Sequence, residues 1–310
     1  MSDALRSRLR RAVEEYLALR RSLGFKLFHE TYWLPDFVKF LKRQGSDVIT
    51  TDLALTWATL PKDVDRSWWG RRLGAVRQFA KHHRMTDSRT QIPSRDLIPY
   101  RSPRRVPYLY SSTEVRALMR AASRLPAPIL AASYATLIGL LASTGMRVSE
   151  ALKLDDADID RSRGLIVVRG AKFNKSRLIP VDTTTLSALA TFVRRRDRMR
   201  VHRRSPGLFV STAGTRVQYT SFGRAFRRLL RAVGIHRKPA PRIHDLRHSF
   251  AVNTLCDWYR AGFDVEPRMP VLSTYLGHVS PTTTYWYLQA TPQLVSLAAQ
   301  RLETAWERRS

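Results

Sequence analysis

The chain predicts a mainly α-helical protein with one small β-sheet (α+β), split into a helical N-terminal domain and a larger C-terminal domain. Three observations carry this. Apolar residues recur at helical spacing along most of the chain, two short β-type runs flank a single turn near its middle, and a Pro/Arg-rich stretch interrupts both patterns. With 310 residues, 44% of them hydrophobic and 10% aromatic, each domain has enough apolar surface for its own core.

Over residues 4–23, Leu5, Val13, Tyr16, Leu17 and Leu23 recur at helical spacing, and Gly24 follows as a stop. Helical patterns continue over Glu30–Arg43, Thr51–Thr59 and residues 64–84, so residues 1–100 predict a helical bundle. Pro93, Pro99, Pro103 and Pro107 then interleave with Arg95, Arg101, Arg104 and Arg105, and residues 101–110 read as a basic linker.

The second domain, 111–310, opens on Ser111-Ser112-Thr113-Glu114, where hydroxyl and carboxylate can form a reciprocal capping box. Residues 125–146 are uncharged, but their prolines and hydroxyls suit a buried core helix better than a membrane span. Residues 164–169 and 177–181 predict a hairpin with Lys172 at its turn, and residues 208–211 a further short strand. Helical patterns dominate from Thr183 onward. After Thr291 and Pro292, the stripe Leu294, Ala298, Leu302, Ala305 and Trp306 predicts a final helix.

The formal charge of +29 and pI near 11.3 favour a polyanionic partner, because self-repulsion of that size is relieved when a nucleic acid neutralises it. The basic run 194–204, Arg227 with Arg228, and Arg237 with Lys238 are expected to contact phosphates. Nine of the 54 basic residues are Lys, and the Arg majority fits either bidentate phosphate contacts or a G- and C-rich genome. The single Cys256 excludes an intramolecular disulfide and a Cys-rich zinc site; with no signal peptide, a cytoplasmic protein without a membrane partner is expected.

Three clusters carry the chemistry. In Ser143-Thr144-Gly145-Met146-Arg147, the glycine allows a sharp turn and Arg147 opens the next helix; taken alone, Arg147 reads as a surface partner of Glu150. In Arg242-Ile243-His244-Asp245-Leu246-Arg247-His248, His244 and Arg247 share a helix face. The same stretch superficially matches a zinc-protease motif, but Asp245 stands where that motif needs Glu, so no metal is expected. Residues 170–176 lack the second glycine of a phosphate-binding loop, so no nucleotide cofactor is expected either. In Leu276-Gly277-His278, the turn is followed nine residues on by Tyr287, with Tyr285 as its competitor.

In order, Arg147, Lys172, His244 with Arg247, Leu276-Gly277-His278 and Tyr287 resemble the active-site set of the tyrosine recombinases, the phage-integrase family. The departures are Phe173, at a hairpin position often held by Gly, and a long segment at 256–271. The resemblance spans essentially the whole chain. It implies a SAM-like core-binding domain, a linker, and a catalytic domain ending in an exchange helix, and it favours Tyr287 over Tyr285 as nucleophile.

It further implies site-specific cleavage and religation of double-stranded DNA through a 3′-phosphotyrosyl bond, with no cofactor. A monomer would assemble to a dimer and tetramer on the recombination site, with partner recombinases or accessory proteins; a mobile-element integrase or transposase is preferred over a dimer resolvase. Arg147 and Arg247 would clamp the phosphate, since guanidinium stays protonated and offers a planar fork. His244 would take the phenolic proton, Lys172 would protonate the departing oxygen, His278 would donate to a phosphate oxygen, and Glu150 would orient Arg147. Relaxation of the type IB topoisomerase kind and a noncatalytic DNA-binding role are the alternatives.

Overall fold

A computed structural model of the chain describes residues 2–99, 105–170, 176–278, 280, 282–290, 294–297 and 299–300. The chain divides into two compact units, Met1–Arg105 and Val106–Ser310.

The first unit is a bundle of α1 (Ser2–Ser22), α2 (Glu30–Arg43), α3 (Thr51–Thr59) and α4 (Arg66–His83). Thr50 and Asp65 cap α3 and α4 by accepting the backbone N–H groups of Leu53 and Ser67. Asp65 sets the start of α4 at Arg66, two residues beyond the start expected from periodicity. The bundle closes on Phe37, Trp57, Leu73 and Phe79, all fully buried. Trp57 also satisfies its polar edge: its indole N–H donates to Asp36 at 3.0 Å, and the Arg72 guanidinium lies 3.8 Å above its ring. Trp68 packs edge-on to Trp33 at 5.1 Å and Trp69 donates to the Pro61 carbonyl at 2.7 Å, so both serve the fold of this unit.

The second unit runs α5 (Ser112–Ser123), α6 (Pro128–Thr144), the single turn α7 (Val148–Ala151), β1 (Ile159–Asp160), β2 (Leu165–Val168), β3 (Arg177–Pro180), α8 (Thr183–Arg198), α9 (Tyr219–Ala232), α10 (His244–Arg260), α11 (Met269–Leu276) and α12 (Thr282–Ala290). The expected capping box at α5 forms, with Ser111 and Glu114 each accepting the other's backbone N–H. The uncharged stretch becomes α6, a central helix packed against α5, α8 and α10. Among the described residues, no helix is long and apolar enough to cross a membrane.

The sheet is antiparallel in the order β1-β2-β3, with Ile166 opposite Ile179. The strand expected at 208–211 is corrected to two isolated bridges, Asp155 with Gly207 and Val210 with Arg216. Leu208, Phe209 and Val210 are buried and β-prone, but their backbone bonds go to different segments: the Leu208 N–H donates to the Leu154 carbonyl and the Phe209 carbonyl accepts from Val217. No ladder can extend from such a crossing.

A separate apolar cluster joins α10, α11 and α12 through Val252, Leu255, Met269, Leu272, Leu276 and Tyr287. Part of the long 256–271 segment is built into it, since Cys256, Val265 and Met269 are all buried. Leu294 is buried in the same cluster; Ala298, Leu302, Ala305 and Trp306 of the expected final stripe lie outside the described residues.

Candidate active site

Helix α6 ends because Gly145 adopts φ +59°, a left-handed conformation that costs an L side chain strain. A Cβ there would also stand 2.4 Å from the Phe250 ring. The chain reverses at once into α7, whose flanking residue Arg147 is turned into the site. The Arg147 backbone N–H and Nη1 donate to the two oxygens of Glu150 at 2.9 and 2.8 Å, and Nη2 donates to the Gly277 carbonyl at 2.7 Å.

Glu150 is buried and holds a second cation. Arg177, the first residue of β3, donates from Nη1 and Nη2 to the two Glu150 oxygens at 3.0 and 2.7 Å and from Nε to the Tyr275 carbonyl at 3.0 Å. Burial alone would raise the Glu150 pKa; the bonds from Arg177 and Arg147 outweigh it and hold the carboxyl at about 2. Glu150 is therefore a fixed anion between two guanidiniums.

Arg247 lies in the first turns of α10 with only 2% of its surface exposed. Its Nη1 donates to the Gly145 carbonyl at 2.9 Å and its Nη2 to the Leu276 carbonyl at 2.6 Å. Burial first, then the like charge of Arg147, lowers its pKa to about 10, which leaves it protonated at neutral pH. The consecutive carbonyls of Leu276 and Gly277 thus receive one guanidinium each. Gly277 can serve because it takes φ +68° at the end of α11, where a side chain would press on the Arg177 guanidinium.

The same turn presents His278, whose Nδ1 lies 2.7 Å from the Thr284 hydroxyl of α12. Burial, then Arg247 and Arg147, pushes its pKa down to about 3, so the ring is neutral near pH 7. From α12, Tyr287 points back into the site with 2% exposure, whereas Tyr285 is 38% exposed. The Tyr287 ring lies 6.2 Å from that of His278, and its hydroxyl is 3.0 Å from Nδ1 of His248.

Residues 109–293 match the model of the phage integrase family. The chain belongs to that family. Over 313 residues it is 42% identical to y4rB of Sinorhizobium fredii (strain NBRC 101917 / NGR234), which bears an integrase/recombinase name; the match covers 98% of this chain and all of that one. It is 34% identical to the tyrosine recombinase XerD of Mycobacterium leprae (strain TN) over 61% of this chain and 59% of that one. Among solved structures, it is similar to the XerH site-specific recombinase bound to palindromic difH substrate (TM-score 0.65, 18% identity, 88% of this chain and 78% of that one). It is equally similar to the Tn1549 transposon integrase in complex with transposon right end DNA (TM-score 0.65, 17% identity, 94% and 99%).

In this integrase-family chain, the structure brings Arg147, Glu150, Arg247, His278 and Tyr287 together, and Lys172 lies outside the described residues. His244 is near the group but not on the tyrosine. It stands at the exposed start of α10, edge-on to His248 with ring centroids 4.7 Å apart, and the histidine contact to Tyr287 comes from His248 one turn further on. Solvent reaches His244, yet crowding by protein atoms and then the charges of Arg247 and Arg242 still lower its pKa.

Sequence reasoning missed two residues. Arg177 had a usable signal, since it is two positions from buried Ile179 and so shares the inward face of β3, while Leu178 points out. His248 had one as well, sitting four residues after His244 on the same helix face. The basic run 194–204 also needs correcting: Arg196 is buried and pairs with Asp156 and Asp197, and Arg203 pairs with Asp156, so both brace the fold. Arg194, Arg195, Arg227, Arg228, Arg237 and Lys238 are exposed.

Proposed function

We propose that this chain is a site-specific DNA recombinase that cuts and rejoins strands of double-stranded DNA through a 3′-phosphotyrosyl bond to Tyr287. The observation that carries the reading is the turn Leu276-Gly277-His278. Its two carbonyls pin the guanidiniums of Arg247 and Arg147 side by side, and its histidine stacks near the Tyr287 ring.

A phosphodiester under attack gathers negative charge on its nonbridging oxygens, and fixed donors that need not reorganise lower that barrier most. Arg147 and Arg247 supply two such donors. With Nδ1 of His278 accepting from Thr284, its Nε2–H is left to donate to the same phosphate. These groups bring the charge stabilisation that a divalent cation provides elsewhere, so the reaction is proposed to run without one.

Tyr287 Oη attacks phosphorus and gives its proton to an imidazole of α10, for which the family resemblance points to His244. The P–O5′ bond breaks and the 5′ oxygen takes a proton from Lys172. The phosphotyrosine conserves the bond energy, so a 5′ hydroxyl from another strand can reverse the step without a nucleotide.

DNA as substrate is supported by the charge of +29 and by the DNA held in the XerH and Tn1549 structures. Assembly to a dimer and then a tetramer on a paired site, in the cytoplasm and in the service of a mobile element, completes the proposal. The test is an SDS-stable adduct on nicked duplex DNA. Wild type and Tyr285→Phe should form it and Tyr287→Phe should not; an adduct that persists in Tyr287→Phe overturns the assignment.

A further inference from the structure

We infer that Arg242 is a third phosphate-binding arginine of the site, taking the backbone phosphate next to the scissile one on the cleaved strand. The inference rests on the strand-transfer reading above and adds a residue that neither the family resemblance nor the clamp of Arg147 and Arg247 supplies.

Arg242 is built in the same way as Arg147. Arg147 stands just ahead of α7, and its backbone N–H and guanidinium both donate to a buried carboxylate three residues on, Glu150, at 2.9 and 2.8 Å. Arg242 stands just ahead of α10 and repeats the pattern with Asp245, which is fully buried. Its backbone N–H donates to Oδ2 at 2.8 Å, and its Nε and Nη2 donate to Oδ1 at 3.2 and 2.8 Å. The Arg242 carbonyl is tied down as well, accepting from the Asp245 N–H at 3.0 Å and from the Tyr110 hydroxyl at 3.3 Å. Backbone and guanidinium are therefore both fixed before a ligand arrives, which lets a donor act without reorganising.

The guanidinium is nonetheless open to a ligand. The Arg242 side chain is 46% exposed, against 26% for Arg147 and 1% for Arg196, which braces the fold through Asp156 and Asp197. Asp245 occupies the Nε–Nη2 edge of Arg242, and Nη1 has no partner among the described residues. A carboxylate on one edge and an open amino group on the other suit a guanidinium that binds one more anion.

Its place in the chain sets that anion beside the scissile phosphate. Arg242 is two residues ahead of His244, and α10 then carries Arg247 to the carbonyls of Gly145 and Leu276. The His244 ring feels the whole group: burial first, then Arg247 and Arg242, with Arg147 behind them, lower its pKa against the pull of Asp245. A DNA strand repeats the same anion at every nucleotide, so a strand with one phosphate held by Arg147 and Arg247 brings the next one to Arg242. There Nη1 donates to a nonbridging oxygen. No bond is made or broken at that phosphate; the contact holds the strand in register with Tyr287.

The experiment uses the full chain and the duplex that it captures, as a covalent adduct, from a pool of nicked duplexes with randomised arms; mapping the adduct locates the scissile phosphate. Copies of that duplex carry one uncharged methylphosphonate at either neighbour of that phosphate. Single-turnover adduct formation is followed over protein concentration for wild type, Arg242→Gln and Arg242→Lys, with melting temperatures beside it. Arg242→Gln should raise the half-saturating protein concentration roughly 10-fold, as loss of a charged hydrogen bond would, and lower the slope of log affinity against log salt by about 1. Arg242→Lys retains a cation on Asp245 but offers no second edge, so it should lose less than Gln; it carries the same comparison if the Gln variant does not fold. For wild type, a methylphosphonate at one of the two positions should cost a similar factor, and that cost should vanish in Arg242→Gln because the contact is already gone. Arg242→Gln within twofold of wild type, or a methylphosphonate cost equal in the two proteins at both positions, would overturn the inference and leave the proposed function standing. The second result together with a lowered melting temperature would make Arg242 a brace of α10 only. No wild-type adduct at all would overturn both.

Discussion

Arg177 and Arg147 share one carboxylate: Arg177 grips both oxygens of Glu150, at 3.0 and 2.7 Å, while Arg147 holds Oε1 from the other side at 2.8 Å. The first residue of β3 therefore sets the position of Arg147, the residue flanking α7 that is proposed to clamp the phosphate, without standing in that clamp itself. Removing Arg177 leaves buried Glu150 with the partly exposed Arg147 as its remaining guanidinium and takes the donor from the Tyr275 carbonyl, so the cost should approach the about 3–5 kcal/mol of breaking a buried ion pair. Arg177→Ala is expected to lose stability of that order in urea unfolding and to slow adduct formation as Arg147 loses its brace. Arg177→Lys keeps the charge but not the fork and should fall between. Unchanged stability in Arg177→Ala would refute the bracing role.

Acid should dismantle this arrangement in two stages. The Glu150 pKa is lowered from 4.5 to about 2, so its contribution is complete above about pH 4.5 and is lost as pH falls toward 2, on the order of 3 kcal/mol in all. His248 and His278 sit at about 4 and 3 against an ordinary 6.5. Their unfolded forms bind protons first, so stability erodes from about pH 6.5 downward on their account. Thermal melts from pH 7 to pH 2 should show both stages. Glu150→Gln should melt lower at neutral pH and lose less below pH 4.5, while keeping the histidine stage; an unchanged acid limb would remove Glu150 from the account.

The helices and the hairpin strands were legible because burial on one face writes a period into the sequence. Glu30–Arg43 and Thr51–Thr59 form over the expected residues. The grouping of Arg147, Glu150, Arg247, His278 and Tyr287 was legible as a set of residue types, because the proposed phosphoryl transfer needs cations and a nucleophile. What the sequence left hidden is which of two histidines touches Tyr287: His244 and His248 lie on one face of α10, and only the placement of α12 chooses between them. Arg177 stayed hidden for a related reason, since an arginine beginning a strand reads as exposed until a buried carboxylate is known to face it.

Gly145 should resist substitution on two grounds. Its φ of +59° strains any other residue, and a Cβ would lie 2.4 Å from Phe250. The left-handed penalty of about 1–2 kcal/mol and an overpacking cost of about 1–3 kcal/mol together predict that Gly145→Ala is destabilised by several kcal/mol in urea. Because the Gly145 carbonyl also holds Arg247, adduct formation should fall as well. Gly145→Ala combined with Phe250→Ala should recover part of the stability lost to the clash; no recovery would show that the strain is wholly in the backbone.

Arg147 and Arg247 should separate stability from chemistry. Arg247 is buried and satisfies the carbonyls of Gly145 and Leu276, so Arg247→Ala leaves two buried acceptors unpaired, at about 1–3 kcal/mol each. The Arg147 side chain is 26% exposed, and Glu150 keeps Arg177 when Arg147 is removed, so Arg147→Ala should cost about 1 kcal/mol or less. On the proposed chemistry both remove a donor to the developing charge, and each should slow adduct formation by roughly 10²–10³-fold. Urea midpoints measured beside single-turnover rates on nicked duplex would show equal kinetic losses with unequal stabilities. Equal destabilisation of the two variants would mean that Arg147 is held in the fold as tightly as Arg247, and that its reach toward the phosphate is not what limits the reaction.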